Sequence, residues 1–433
     1  MTSITWRAWF IGLLLWPAAG LLAQPVATPA EPPATPPLAP SATGPAYGLP
    51  ELVRIVLAHN PTLQMAVRTR EQAEAGIRSA GALPNPRLEF SDGRLRAGNA
   101  GGSSGNVSAW GVSQLIENPW LRSARIEAAE SGLRGSEAQL GLMRGEVVAQ
   151  VRVRAYELLL RIEEARAAAD ELVLLEQTRE RVRVRVASGE AARYEVIKAE
   201  AEFISARQRQ QTAQLAAEQA RIRLNQLAAG QLPAGWRLQA GLDDTLSLPP
   251  VEQLGGQLLA HNPELQSLRA EHERQQARVR EAHASRWPGV ELRYSDMREP
   301  DNRQSMVGAS LQIPLLDQRR GPRAEAQAEA LRAQTRFEGR QVELQLQLEA
   351  AVMTLEMARL RVEALGTGAV RDAEAALRVA QAAYRYGERG ILDVLDAQRV
   401  LRTVRADLLQ ARFQQQAAAI EIDLLTGRNA ELP

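Results

Sequence analysis

The chain has 433 residues, and its 52 Lys+Arg and 51 Asp+Glu give a formal net charge of +1, which argues against the basic surface that nucleic-acid-binding proteins need. It contains no cysteine, which excludes disulfides, zinc–thiolate sites, a cysteine nucleophile and lipidation at an N-terminal cysteine. Aromatic residues make up only 4% of the chain, a low share for a large globular core, while Ala, Gln, Arg and Glu are abundant, as in long helices.

The N-terminus has the features of a secretory signal peptide, which we predict over residues 1–23. Arg7 supplies a positive charge, "WFIGLLLW" an apolar core, and small residues follow. The alternative is an uncleaved membrane anchor, but the apolar run is short for a bilayer span of about 20 residues. Residues 24–47 are rich in proline and alanine, and this composition predicts an extended, mobile tether.

From residue 48 onward the chain repeats itself. "LAHNPTLQ" at 57–64 returns as "LAHNPELQ" at 259–266, and further matches follow in the same order at an offset of about 200 residues. We interpret the two histidines of these motifs, His59 and His261, as turn or capping residues because Asn-Pro follows each. The predicted segments are a first repeat at 48–230, a linker at 231–250 and a second repeat at 251–428.

Each repeat is predicted to begin with a helix that a central proline, Pro61 or Pro263, kinks or splits. Two strand-like runs follow, in which apolar residues alternate with polar or small ones and so predict a hairpin with one apolar face. The predicted strands lie at about 86–96, 106–117, 288–296 and 304–313.

Two long helical segments then complete each repeat, because apolar residues recur at alternating steps of three and four, as in coiled coils. These helices are predicted at about 120–187, 191–228, 318–386 and 391–427. The fold class is therefore mainly α with a small β part. Isolated hairpins are marginally stable and leave sheet edges exposed, so we expect several copies to pool their strands in a barrel and their helices in a tube.

A glycine-broken turn joins the two long helices of each repeat. It reads "RVASGEAARYEVIKAEAE" at 185–202 and "RYGERGILDVLDAQRV" at 385–400, with Gly189 and Gly387 at the same place in the two turns. The second turn alone carries two acids on one helix face, Asp393 and Asp396. On pattern alone, acids near a helix start stabilise it by about 0.3–1 kcal/mol through the helix dipole.

The segment "YRYGERGILDVLDAQRVL" at 384–401 closely resembles the periplasmic tip motif of the TolC family of outer-membrane efflux proteins, and the duplicated hairpin order over about 50–428 is similar too. "HNPTL…AGALPNPRLEF" resembles the branch of that family that serves heavy-metal and related resistance-nodulation-division pumps. The resemblance implies a homotrimer with a twelve-stranded barrel in the outer-membrane lipid of a Gram-negative bacterium. It also implies a long α-helical periplasmic tunnel, a periplasmic adaptor protein and an inner-membrane efflux pump.

The same resemblance implies roles for residues of the tip. Asp393 and Asp396 would form carboxylate rings at the narrow periplasmic end, which favour cations. Tyr384, Arg389 and Glu195 match the family's gate hydrogen bonds and ion pairs. Gly189 and Gly387 would mark the tips that dock the adaptor. The plainer interpretations are a packing tyrosine and a solvated turn arginine.

Other functions have less support in the sequence. No nucleophile–base constellation is visible, so we expect no enzyme, cofactor or resident metal. His272 and His283 lie on a predicted helix, and two isolated histidines leave a zinc shell incomplete. The expected function is the outer-membrane channel of a tripartite efflux system that exports small molecules or metal cations. The alternatives are a periplasmic coiled-coil adaptor or scaffold without a pore, and an exit duct for type I protein secretion.

Overall fold

The computed structural model describes residues 44–96, 98, 103–244 and 248–431. The predicted signal peptide and the tether as far as residue 43 lie outside the described residues. The end of the predicted tether is not free chain, because Ala46–Tyr47 (β1) pairs in parallel with Arg237–Leu238 (β4) in the linker between the repeats. The prediction of a mobile segment up to residue 47 is wrong for these last residues, since their backbone groups are hydrogen-bonded to the linker.

The chain is mainly helical with few strands, as predicted, and its elements follow the same order in the two repeats. The first repeat contains α1 (Leu49–His59), α2 (Pro61–Gly81), β2 (Arg87–Leu95), β3 (Gly105–Ile116), α3 (Pro119–Ala187) and α4 (Arg193–Leu227). The second contains α5 (Val251–His261), α6 (Pro263–Ala284), β5 (Val290–Arg298), β6 (Arg303–Leu311), α7 (Arg320–Ala364), α8 (Val370–Arg385), α9 (Ile391–Leu425) and α10 (Arg428–Glu431). Within the described part of the chain, no helix is both long enough and apolar enough to cross a membrane.

The repeated Asn-Pro motif splits the first helix of each repeat and closes the repeat on itself. Asn60 caps α2 by accepting from Thr62 N and Leu63 N, and its Nδ2 donates to Leu227 O at 3.0 Å. Asn262 caps α6 in the same way, and its Nδ2 donates to Leu425 O at 2.9 Å. The cap is therefore the asparagine and not the preceding histidine. Each asparagine also holds the last carbonyl of the final long helix of its repeat, a group that a helix leaves unpaired.

The two hairpins join in one antiparallel sheet with the strand order β2–β3–β5–β6. Its register places one set of side chains on a common face, because directly paired residues of antiparallel strands point the same way. This apolar face carries Phe90, Val112, Leu292, Tyr294 and Val307 among others. The other face carries Glu89, Glu291 and Arg293 with small and polar residues. The outer edges of β2 and β6 have no strand partner among the described residues.

The long helices extend far beyond the sheet. Helix α3 has 69 residues, which corresponds to about 100 Å at 1.5 Å per residue. Its counterpart in the second repeat was predicted as one helix at about 318–386, but a π-helical turn at Leu365–Ala369 separates α7 from α8. This turn has the sequence LGTGA. Its two glycines have a low α-helix propensity, so the wider π-helical turn costs less here than it would among strong helix formers.

A buried ion pair joins the two repeats. Arg152 of α3 donates to Asp423 Oδ2 of α9 at 2.9 Å and to Asn429 Oδ1 of α10 at 2.5 Å. All three residues are buried. Because a charge left unpaired in such a place is costly, this contact fixes the end of α9 and the short α10 against α3.

Candidate functional site: the two hairpin tips

The turns between the long helices have the same backbone in both repeats. Gly189 and Gly387 adopt φ values of 78° and 77°, a left-handed conformation that disfavours residues with a Cβ. The amide after each glycine bonds back to a carbonyl five residues earlier, Glu190 N to Arg185 O and Glu388 N to Ala383 O. Both turns are thus glycine-terminated helix ends of the Schellman type.

Beneath the turns, α3, α4, α8 and α9 share one apolar cluster, which we call the tip core. Its buried members include Leu175 and Val182 from α3, Ala199 and Ala206 from α4, Leu377 and Tyr384 from α8, and Ile391, Val394 and Leu395 from α9. Alanines at several of these positions let the helices approach closely. The tip core therefore holds the two helical hairpins against each other near their ends.

Tyr384 and Glu195 meet across the two hairpins. Tyr384 is only 6% exposed, and its hydroxyl donates to Glu195 Oε2 at 3.3 Å. Burial raises the pKa of the Tyr384 phenol, and the negative charge of Glu195 raises it further. The hydroxyl therefore stays protonated as a donor at neutral pH.

Arg185, which the sequence did not single out, contacts Tyr384 of the other hairpin in two ways. Its Nη1 donates to Tyr384 O at 2.9 Å, and its guanidinium carbon lies 4.7 Å from the centroid of the Tyr384 ring. Its Nε also lies 3.6 Å from Glu190 Oε2. The only signal in the sequence is an arginine in the last turn of α3 where the second repeat has Ala383.

Arg389, by contrast, pairs within its own hairpin. Its Nη1 lies 3.4 Å from Asp393 Oδ2, four residues on, and its side chain is 66% exposed. Within the described structure of a single copy, Arg389 forms no hydrogen bond or ion pair with the first hairpin. Its exposure agrees with the plainer interpretation, a solvated turn arginine.

Asp393 and Asp396 lie outside the tip core with their carboxylates in solvent. Asp393 is in the first turn of α9 and Asp396 in the second, since the helix begins at Ile391. Neither carboxylate caps the helix, whose N-cap residue is Gly390. Asp396 Oδ1 lies 3.9 Å from Arg399, which also approaches Glu202 of α4 at 3.2 Å. The side-chain exposures of 46% for Asp393 and 74% for Asp396 leave both acids accessible.

The equivalent face of the first hairpin has a different charge. Glu195 and Lys198 occupy the places of Asp393 and Asp396. Glu195 accepts the hydrogen bond of the Tyr384 hydroxyl, and the Lys198 ammonium lies 5.6 Å from the centroid of the Tyr194 ring. Only the α8–α9 tip therefore presents two accessible carboxylates.

Within the described residues, no group of three or more His, Asp or Glu side chains is arranged to hold a metal ion. His272 Nε2 lies 2.7 Å from Gln276 Nε2, one helical turn away, and neither His272 nor His283 belongs to a ligand cluster.

Comparison with known proteins identifies a family and a relative that are similar to this chain. The family model described as "Outer membrane efflux protein" matches residues 52–230 and 254–428, one segment in each repeat. The cobalt-zinc-cadmium resistance protein CzcC of Cupriavidus metallidurans is 28% identical over 389 residues, which cover 89% of this chain and 91% of that protein.

Solved structures share the fold at low identity. The outer-membrane channel OprN superposes with a TM-score of 0.78 at 19% identity, over 88% of this chain and 89% of that chain. CusC superposes with a TM-score of 0.77 at 18% identity, over 87% of this chain and 91% of that chain.

Proposed function

The chain belongs to the outer membrane efflux protein family and is an efflux channel component, and we propose that it works as a homotrimer in the outer membrane of a Gram-negative bacterium. The observation that carries this proposal is the sheet, which has one apolar face and unpaired outer edges on β2 and β6. Such edges are a liability unless another strand covers them. Three copies, each adding four strands, would close a twelve-stranded barrel.

In this arrangement the apolar face of the sheet meets lipid, and the face with Glu89, Glu291 and Arg293 lines the pore. This follows the alternation of transmembrane barrels, in which apolar residues face outward and polar residues inward. Phe90 and Val307 are 75% and 85% exposed, values that favour an apolar surrounding outside the single chain.

The long helices of three copies would continue the barrel as a periplasmic tunnel. Each copy supplies α3 and α4 together with α7, α8 and α9, so the tips at Gly189 and Gly387 lie at the end remote from the sheet. We place the docking of a periplasmic adaptor protein at these tips. An inner-membrane pump would supply the energy, as in the tripartite systems of this family.

Carboxylate rings at the tip are the proposed selectivity element. Three-fold symmetry turns the accessible Asp393 and Asp396 into two rings of like charge, which attract cations. The Tyr384–Glu195 hydrogen bond and the contacts of Arg185 hold α8–α9 against α3–α4, and release of these contacts would widen the tip. Arg389 would act on the neighbouring copy or only on Asp393.

The cargo is small molecules or metal cations. The name of CzcC, a cobalt-zinc-cadmium resistance protein, and the acidic tip favour divalent cations for this chain as well. A type I protein-secretion duct is the alternative cargo class, and an adaptor without a pore is the alternative architecture.

Membrane fractionation with a heat-modifiability gel tests the architecture. We expect the protein in the outer-membrane fraction, migrating as a compact trimer that heating converts to a slower monomer. Purified trimer should then form pores in planar bilayers. Recovery as a soluble periplasmic protein, or trimers that stay without conductance even in the R185A variant, would contradict the channel and favour the adaptor.

A further inference from the structure

We infer that each copy holds a phospholipid by its phosphate in a pocket of arginine and tryptophan at the junction of the sheet and the helices. This inference rests on the proposed outer-membrane function and deepens it, because it names a ligand class and a site. The pocket is a cavity of about 710 Å³ between the ends of β3, β5 and β6 and the starts of α3 and α7.

The position of the pocket follows from the strand register. Ile116, Val290 and Leu311 line it, and they are directly paired with one another across β3, β5 and β6. They therefore form the last row of the apolar face, the same face that bears Leu292 and Val112. The pocket lies against this apolar face at the ends of β3, β5 and the edge strand β6. Pairing of β2 and β6 between copies would use backbone groups in the plane of the sheet, so it would leave the apolar face, and the pocket on it, toward lipid.

The charge of the pocket favours an anion. Arg286, Arg320 and Arg323 line it together with one acid, Glu117, and none of the three arginines forms an ion pair with a carboxylate among the described residues. Arg320 donates only to Gln318, and the Nε of Arg323 is buried without a hydrogen-bond partner. The lining acid Glu117 is paired with Arg125, and Asp317, three residues before Arg320, is paired with Arg319.

Two tryptophans flank these cations at the end of the apolar face. Trp120 and Trp287 are 73% and 61% exposed, and the Arg286 guanidinium lies 5.5 Å from the Trp287 ring. Tryptophan is enriched where hydrocarbon meets headgroups, and arginine binds phosphate with two parallel hydrogen bonds. A lipid lying on the apolar face would thus bring its phosphate to the arginines at the depth where the apolar rows end.

The wall of the pocket is preformed. Asn118 is buried, and its Nδ2 donates to Ala284 O at 3.0 Å and to Trp287 O at 3.2 Å, while its Oδ1 accepts from Trp120 N. Gly289 allows this close packing, since a Cβ there would lie 2.7 Å from Ile116 O. One asparagine therefore fixes the backbones of both tryptophans.

A cavity of about 790 Å³ beside the first hairpin provides an internal contrast. It is lined by Glu117, Glu127 and Glu130, and its one arginine, Arg122, already donates to Gly81 O. The two junctions thus have similar sizes and opposite charge, and only the one next to α7 suits a phosphate.

The test is native mass spectrometry of the purified full-length protein in detergent, titrated with palmitoyl-oleoyl phosphatidylglycerol. We expect about one retained lipid per copy. The variant R286Q/R320Q/R323Q should weaken this binding by roughly a hundredfold, because each basic residue at an anionic membrane surface contributes a factor of about five. The matched variant R181Q/R193Q/R207Q removes the same charge from exposed arginines of α3 and α4 and should bind as the wild type does.

Dioleoylglycerol, which has the same apolar chains without a phosphate, should not be retained. Equal retention of dioleoylglycerol, unchanged binding by the pocket variant, or displacement of the lipid by inorganic phosphate at equal concentration would each overturn the inference. If the triple variant fails to fold, R320Q alone should still lose about fivefold, since its side chain is exposed. The same spectra count copies, so monomers that keep the lipid would refute the trimer, whereas trimers without lipid would refute this site.

Discussion

The two hairpin tips of this chain share a backbone and differ in chemistry. Gly189 and Gly387 have the same left-handed conformation and the same closing hydrogen bonds. In the first tip, Arg185 and Glu195 contact Tyr384 of the second tip, and we call these contacts the clamp. The second keeps Asp393 and Asp396 accessible. The two repeats thus share the turn, while the first supplies the clamp and the second supplies an acidic surface, formed by Asp393 and Asp396.

The largest effect is expected from removing the acidic surface. The double variant D393A/D396A should raise the concentration of a divalent cation that half-blocks the pore by roughly a hundredfold, because a cleft of one charge sign concentrates counter-ions by about 10–10³. Block by cobalt ions in planar bilayers measures this. E190A, which removes an acid from the first tip, is the control and should leave the block nearly unchanged. Equal effects of the two variants would abolish the distinction between the tips.

The clamp is tested by comparing two arginines. R185A removes a charged hydrogen bond and a cation–π contact between the hairpins, and should lower the local opening free energy by about 2 kcal/mol. R389A removes an exposed pair within one hairpin and should cost about 0.3–0.5 kcal/mol. Hydrogen–deuterium exchange at the amides of α8 and α9 reports these values, with roughly thirtyfold faster exchange expected for R185A. If R389A has the larger effect, Arg389 holds the tip through a neighbouring copy.

Much of the difference between the two tips could be predicted from the sequence. The glycines and the two aspartates were found by aligning the repeats, because left-handed turns restrict residue type and so leave a local trace. The family resemblance, which the family match confirms, supplied Tyr384 and Glu195 as candidates.

The contacts between the two helical hairpins could not be predicted from the sequence. A heptad pattern fixes which face of each helix is buried but not how two helical pairs are rotated and shifted against each other. Arg185 is one of many arginines in α3, and only the tertiary arrangement places it on the Tyr384 ring. The same holds for Asn60 and Asn262, whose caps are local but whose bonds to Leu227 and Leu425 span most of a repeat.

The shared backbone is tested by the two glycines. G189A and G387A should each lower the thermal unfolding midpoint by similar amounts, since a Cβ in the left-handed region costs about 1–2 kcal/mol. Space does not limit either substitution, because a Cβ at Gly189 would meet nothing within 4 Å and one at Gly387 only the end of Arg185. G390A, at a glycine with φ near −78°, is the control for backbone strain and should lower the midpoint less, because it changes only the N-cap preference of α9. A difference between the first two variants would show that the turns are not equivalent.

The smallest effect concerns the Tyr384 hydroxyl. Y384F removes one hydrogen bond of 3.3 Å and should cost about 0.5–1 kcal/mol at neutral pH. The folded state raises the pKa of Tyr384 above its ordinary value of 10.0, so the folded state holds this proton more tightly than the unfolded state does. The associated stability is full below pH 10 and is lost as the pH rises toward the native pKa. The thermal unfolding midpoint of the wild type should therefore fall between pH 8 and pH 11, and that of Y384F should fall less.

The control is Y194F, on the exposed Tyr194 of the first tip, which should keep the wild-type profile. Parallel profiles for the wild type and Y384F would mean that burial and Glu195 do not raise the pKa of Tyr384 in solution, and would contradict this contact between the tips.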